Sequence, residues 1–183
     1  MFNALSYIGL KLNEGRVIWA VGASILLYQY GLVDKPNDID ILVDLKDIEK
    51  ADKILKTIGE KKEWKKTDDY STKYFYEYVI NGIDVDVMSG LRINYNKGVF
   101  EYNFCGSSIS EVKKINGVDI PFTSLEEWYV IYQLISGREA KVNMIEKYLL
   151  SNGIKKPELL EELLKGELPI EVRRSVERLL SNF

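Results

Sequence analysis

The heptapeptide DIDILVD, Asp38 to Asp44, alternates acidic and aliphatic side chains at its start. On a strand, successive side chains point to opposite faces. Asp38, Asp40 and Asp44 therefore share one face, and Ile39, Ile41 and Val43 the other. The aliphatic face must pack on helices, which turns the aspartate face away from the core. Asp38 and Asp40 then lie close together at the start of the strand. Two like charges ~4 Å apart repel by about 1 kcal/mol in water and about 4 kcal/mol near a protein surface. A divalent cation removes that cost, and magnesium favours few protein carboxylates plus phosphate oxygens. Alone, Asp38-Ile39-Asp40 reads more readily as a solvated strand edge, so the flanking segments matter.

Upstream, residues 16–21 (RVIWAV) read as a buried strand ending at Gly22. Residues 24–30 suit a helix that stops at Gly31, after an N-terminal helix over 3–13. Gly22 lets the backbone bend and lets a ligand come close. The helix start after it offers free N–H groups to an anion. Ser24 either donates its hydroxyl to a phosphate or caps the helix, and the cap is the commoner use.

Downstream, Leu45, Ile48, Ala51, Ile54, Leu55 and Ile58 recur at spacings of three and four, which predicts an amphipathic helix over 45–59. Residues 73–80 are aromatic and β-branched. Asn81-Gly82 then suits a type I′ turn into IDVDVM, residues 83–88. Asp84 and Asp86 share one face of that strand. If it neighbours residues 38–44, one of them adds a third carboxylate, a set used in two-metal phosphoryl transfer. Tyr74, Tyr76 and Tyr78, with Tyr70 nearby, read as a cross-strand aromatic ladder or as a stacking surface for a base or acceptor. A strand over 99–104 and a second hairpin at Asn116-Gly117 follow.

Beyond Pro121 the pattern becomes helical, over 125–136, 139–151, 157–165 and 169–182. Ser124 and Glu127 form a capping box. Pro157 and Pro169 sit near helix starts, where a missing N–H costs little. The expected organisation is an α+β core over 1–122, a mixed sheet flanked by helices, and a helical region over 123–183.

Composition narrows the chemistry. The 183 residues contain no histidine and one cysteine, Cys105. That excludes Ser-His-Asp, Cys-His and histidine–metal sites, an internal disulfide and a cysteine-rich zinc site. Catalysis must use carboxylates, lysine, tyrosine, serine or a metal held by oxygen. The single thiol fits a reducing compartment, no signal peptide or membrane span is visible, and a cytoplasmic location is expected. A net charge of −3 speaks against gripping a long nucleic acid. The dense run Lys61-Lys62-Glu63-Trp64-Lys65-Lys66 reads as a solvated face.

The ordered set VGAS (21–24), DIDILVD (38–44) and VDV (85–87) resembles the nucleotidyltransferase superfamily related to DNA polymerase beta, closest to its minimal, AbiEii-like and MNT-like members. The segment SLEEWYVIYQLISGREAK (124–141) is similar to the helix that follows the core there. The resemblance implies transfer of a nucleoside monophosphate from a nucleoside triphosphate, ATP in the first instance, to a small molecule, an RNA end or a protein. Asp38, Asp40 and Asp86 would be the catalytic carboxylates and hold magnesium or manganese, with Asp84 as the alternative third ligand. Gly22, Ser24, Lys35 and Arg138 would bind the nucleotide. The resemblance also admits a weakly active or inactive partner-binding member of toxin–antitoxin type, and a homodimer. Departures fall on the nucleotide clamp: Ala23 where a second glycine or serine is frequent, Gln133 where a lysine is frequent, and Lys141-Val142 where a Lys-Asp pair is frequent. A clamp depleted of cations is the expectation.

Overall fold

The computed structural model describes residues 1–63, 71–95 and 98–183. Lys65, Lys66 and Tyr70 lie outside the described residues. The chain begins with α1 (Phe2–Glu14), whose Leu5, Ile8 and Leu12 are fully buried. There follow β1 (Trp19–Val21), α2 (Ala23–Gln29), β2 (Ile39–Val43), α3 (Ile48–Leu55), β3 (Glu60–Lys61), β4 (Tyr74–Ile80) and β5 (Ile83–Ser89). A separate hairpin of β6 (Leu91–Tyr95) and β7 (Gly98–Tyr102) precedes β8 (Glu111–Ile115) and β9 (Val118–Phe122). Four helices complete the chain: α4 (Leu125–Gln133), α5 (Glu139–Asn152), α6 (Pro157–Leu164) and α7 (Ile170–Leu180).

Seven strands form one mixed sheet in the order β3-β4-β5-β2-β1-β9-β8. β2 runs parallel to β5 and β1 parallel to β9, while the other pairs are antiparallel. Opposed residues in register share a face. Trp19 opposes Val43, and Ile39 and Ile41 oppose Val85 and Val87, so these side chains build one apolar face. α1 covers it: a Cβ on Gly9 would stand 2.4 Å from Ile120 Cδ1 and 3.3 Å from Trp19, so only glycine lets the helix settle here. The α+β class and the mixed sheet flanked by helices are as expected.

Both Asn-Gly turns take the predicted form. Asn81 and Gly82 have φ of 51° and 73°, and Asn116 and Gly117 of 50° and 81°, as a type I′ turn demands. The capping box also forms: Glu127 N donates to Ser124 Oγ at 3.1 Å, and Ser124 N donates to Glu127 Oε2 at 3.4 Å.

Several segments differ from the sequence reading, the short β3 among them, which arises where no strand is predicted. Helix α3 spans 48–55, not 45–59, because Asp44 and Asp47 bend the chain first. Asp44 Oδ1 accepts the Lys46 N–H, and Asp47 Oδ2 accepts the Ile18 N–H at 2.9 Å. Strand β1 keeps only 19–21, since Arg16 turns at φ 52° and the Val17 N–H returns to Leu12 O. β6 arises where no strand is predicted, although Leu91 and Ile93 alternate with polar neighbours. In the described part of the basic run Lys62 and Glu63 are exposed, as a solvated face requires, while Lys61 is partly buried. Lys61 pairs with Asp52 at 2.5 Å and lies over the Tyr76 ring, and Lys62 pairs with Asp84.

Candidate active site

Asp40 opposes Asp86 across the parallel β2–β5 pair. Both lie on the face opposite the Ile39–Val85 and Ile41–Val87 pairs, as alternation requires. Asp38 immediately precedes β2. The three side chains each bring a carboxylate oxygen to within 4.8 Å of the others. The acidic face forms the floor of an open cavity of about 520 Å³, in which all three aspartates are half-buried. The far wall is the α4 face carrying Trp128, Ile131 and Tyr132, then Ile135 just beyond the helix, with Arg138 and Lys141 from the start of α5.

The electrostatics follow from this enclosure. Burial, followed by the charges of Asp38 and Asp86, pushes the Asp40 carboxyl well above its ordinary range, while Lys141 opposes the shift. Burial raises Asp86 to about 6, helped by Asp38, Glu77 and Asp84. Burial and the neighbouring Arg138 lower the Lys141 ammonium, and Asp40 and Asp38 resist this. The carboxylates crowd one another in a desolvated place, and one partly buried lysine does not balance them. Hard oxygen donors clustered this closely fit magnesium or manganese, which would be held by Asp38, Asp40 and Asp86.

The turn before α2 is organised differently from the expectation. Gly22 has φ −135° and ψ −151° and serves as the N-cap of α2. A Cβ there would stand 2.5 Å from the Trp128 indole, so Trp128 occupies the space that the glycine opens. Thr123 Oγ1 fixes the indole by accepting its N–H at 2.8 Å. Ser24 does not cap the helix. Its hydroxyl accepts the Asn37 N–H at 3.2 Å and lies 3.3 Å from both Asp38 O and Asp38 Oδ1. It thus clips the loop that delivers Asp38. Between them, Ala23 takes φ 45°, a conformation rare for a residue with a Cβ.

The remaining site residues divide. Ser24, Asp38, Asp40, Asp86 and Arg138 line the cavity. Gly22 lies behind its wall, and Lys35 is exposed and outside the lining. Asp84 pairs with Lys62 at 2.6 Å, with its side chain 69% exposed. Asp44 pairs with Lys46 at the end of the strand. Tyr76 and Tyr78 oppose Val87 and Val85 on the face away from the cavity. Tyr74 and Tyr76 make a ring contact at 6.3 Å within β4 itself, and the residues opposite the three tyrosines are Ser89, Val87 and Val85, so the aromatic row runs along one strand rather than across two. The sequence reading noted Lys141 only within a departure from the family pattern and did not place it in the site, and it missed the α4 wall and, on β4, Phe75 and Glu77. Spacing carried a signal only for the α4 wall, where Trp128, Ile131 and Tyr132 fall on one helical face.

No protein-family model and no curated protein matches the chain. Solved structures do. A candidate nucleotidyltransferase from Thermotoga maritima is similar over 82% of this chain and 92% of its own, with 26% identity and a TM-score of 0.60. The antibiotic-resistance factor ANT(2″)-Ia is similar over 98% and 92%, with 13% identity and a TM-score of 0.58. The lincosamide antibiotic adenylyltransferase LnuA is similar over 79% and 95%, with 15% identity and a TM-score of 0.50. The chain has the nucleotidyltransferase superfamily fold.

Proposed function

We propose that the chain is a metal-dependent nucleotidyltransferase that moves a nucleoside monophosphate, AMP in the first instance, from a nucleoside triphosphate to a hydroxyl acceptor. The observation that carries this reading is the convergence of Asp38, Asp40 and Asp86 on the floor of a cavity roofed by Lys141 and Arg138. The fold neighbours support it, since LnuA is named as an adenylyltransferase. Magnesium, when bound, offsets the negative charge of the carboxylates and of the phosphates. Asp38, Asp40 and Asp86 would hold it. Lys141 and Arg138 supply charge-assisted hydrogen bonds to the triphosphate, so the clamp keeps two cations. Ser24 keeps Asp38 in position. In the transfer, the acceptor oxygen bonds to the α-phosphorus as the bond to pyrophosphate breaks. Asp86, on the strand beside Asp40, takes the hydroxyl proton. The catalytic framework falls within 1–122, and 123–183 supplies the wall and the cations.

The test is incubation with α-labelled ATP, magnesium and pools of hydroxyl compounds, RNA ends and proteins, following label transfer and pyrophosphate. Transfer that stops with EDTA and in Asp40→Asn supports the reading. Silence with every nucleoside triphosphate, together with no nucleotide binding, leaves a partner-binding module on a retained fold.

A further inference from the structure

We propose that Tyr132 is a positioning residue for the triphosphate: its ring and hydroxyl hold the Lys141 ammonium over the carboxylate floor without neutralising it. This rests on the proposed nucleotidyl transfer and names the group that aims its cation.

Lys61 and Lys141 show two ways of seating a lysine on a tyrosine. Lys61 Nζ stands 3.3 Å from the centre of the Tyr76 ring and also pairs with Asp52, so its charge is met within the fold. Lys141 Nζ stands 4.8 Å from the centre of the Tyr132 ring and donates a long hydrogen bond, 3.4 Å, to the Tyr132 hydroxyl oxygen. Among the described residues Lys141 forms no ion pair. A carboxylate in that place would hold the ammonium in a charge pair that a phosphate must first break. An aromatic face attracts the cation through its quadrupole and leaves its charge in place.

Tyr132 is itself fixed. It is buried, and its ring packs on Trp128 with centroids 5.1 Å apart. The Trp128 indole donates to Thr123 and lies against Gly22. The Gly22 N–H donates to Asp40 O at 3.0 Å. Two rings and one backbone bond therefore tie the seat of Lys141 to the strand that carries Asp40. Besides burial, Arg138 disfavours the ammonium, while Asp40 and Asp38 favour it. Once the aspartates hold a metal that attraction falls away, and Tyr132 remains as the seat. A lysine without one samples many rotamers, and the cost of ordering it falls on nucleotide binding.

A double-mutant cycle on the full chain, reading the affinity for ATP with magnesium by calorimetry, separates positioning from packing. Tyr132→Leu should weaken ATP about fivefold, as loss of a cation–π contact allows. Tyr132→Phe keeps the ring and should weaken it by no more than about twofold. Lys141→Ala should weaken it about tenfold, and in that background Tyr132→Leu should have no further effect. Equal losses from Tyr132→Leu in both backgrounds, the mark of a purely structural role, overturn the assignment while leaving nucleotidyl transfer intact. If Tyr132→Leu does not fold, NMR of the unmodified chain with isotope-labelled lysines decides. The Lys141 ε-methylene signal, identified by its absence in Lys141→Ala, should be displaced upfield by the ring, and Tyr132→Phe should keep that displacement. A signal at the ordinary lysine position overturns the assignment. Failure of ATP to bind the unmodified chain with magnesium overturns the proposed function, and this assignment with it.

Discussion

The floor and the wall of the cavity are built on opposite principles. The floor is sheet: register alone brings Asp40 opposite Asp86 and aims both to one side. The wall is helix: α4 contributes residues at three- and four-residue spacing, and their positions depend on how α4 docks. Trp128 sits on Gly22 with no room for a Cβ, and its indole N–H is held by Thr123. Floor residues set the charge that a metal must meet, and wall residues set the shape and the anion-facing cations. Damage to the floor should therefore abolish chemistry while sparing the fold, damage to the apolar part of the wall should cost stability, and loss of a wall cation should weaken nucleotide binding alone.

The largest expected effect tests the floor. Asp40→Asn should lower metal-dependent transfer by about a thousandfold, equivalent to ~4 kcal/mol. In EDTA the same variant should melt higher than the parent, because it removes a buried charge whose ionisation the site opposes. A variant that is both inactive and less stable without metal would break the contrast. On the wall, Gly22→Ala forces a methyl group against the Trp128 indole. It should cost about 1–3 kcal/mol in denaturant unfolding, the usual range for overpacking. Lys141→Ala sharpens the division: ATP affinity should fall about tenfold, the loss of one charge-assisted bond, with the fold retained.

A smaller effect follows from pH. The Asp86 carboxyl is raised to about 6 in the folded chain, against ~3.9 for an unperturbed aspartate. The native state therefore binds this proton more readily than the unfolded one. Stability in EDTA should rise as pH falls from 7.5 toward 5, and be lost as pH rises through about 6. Asp52, held down at about 2 by its contacts with Lys56, Lys61 and Tyr78 against the cost of burial, works in the opposite sense only below ~pH 4. With magnesium the dependence should invert near 6, since protons compete with the ion for the carboxylates. Thermal melts of the chain and of Asp86→Asn, with EDTA and with magnesium, read this directly.

The same contrast explains what the sequence disclosed. Alternation at 38–40 and 84–86 fixed which side chains share a face, and the Asn81-Gly82 turn fixed how β4 meets β5. It could not separate Asp84 from Asp86, because both satisfy the period. Their difference arises in three dimensions, where Asp84 pairs with Lys62 and Asp86 opposes Asp40. Lys35 is near Asp38 in sequence yet exposed and outside the cavity, while Lys141 is distant in sequence yet within it. Cations in the clamp are delivered at the start of α5, and periodicity there does not record which floor they will face; only the family resemblance of residues 124–141 drew notice to Arg138 and Lys141. Gly22 carries a related lesson. A glycine after a strand suggests ligand approach, but here a tryptophan more than a hundred residues later fills the space.

The most direct test is calorimetric titration of ATP into three proteins, the unmodified chain, Asp40→Ala and Asp84→Ala, each with magnesium and with EDTA. The account predicts magnesium-dependent binding by the unmodified chain and by Asp84→Ala, and its loss in Asp40→Ala. Binding by Asp40→Ala equal to that of the unmodified chain, or binding that ignores EDTA, would contradict a metal-centred site on Asp38, Asp40 and Asp86.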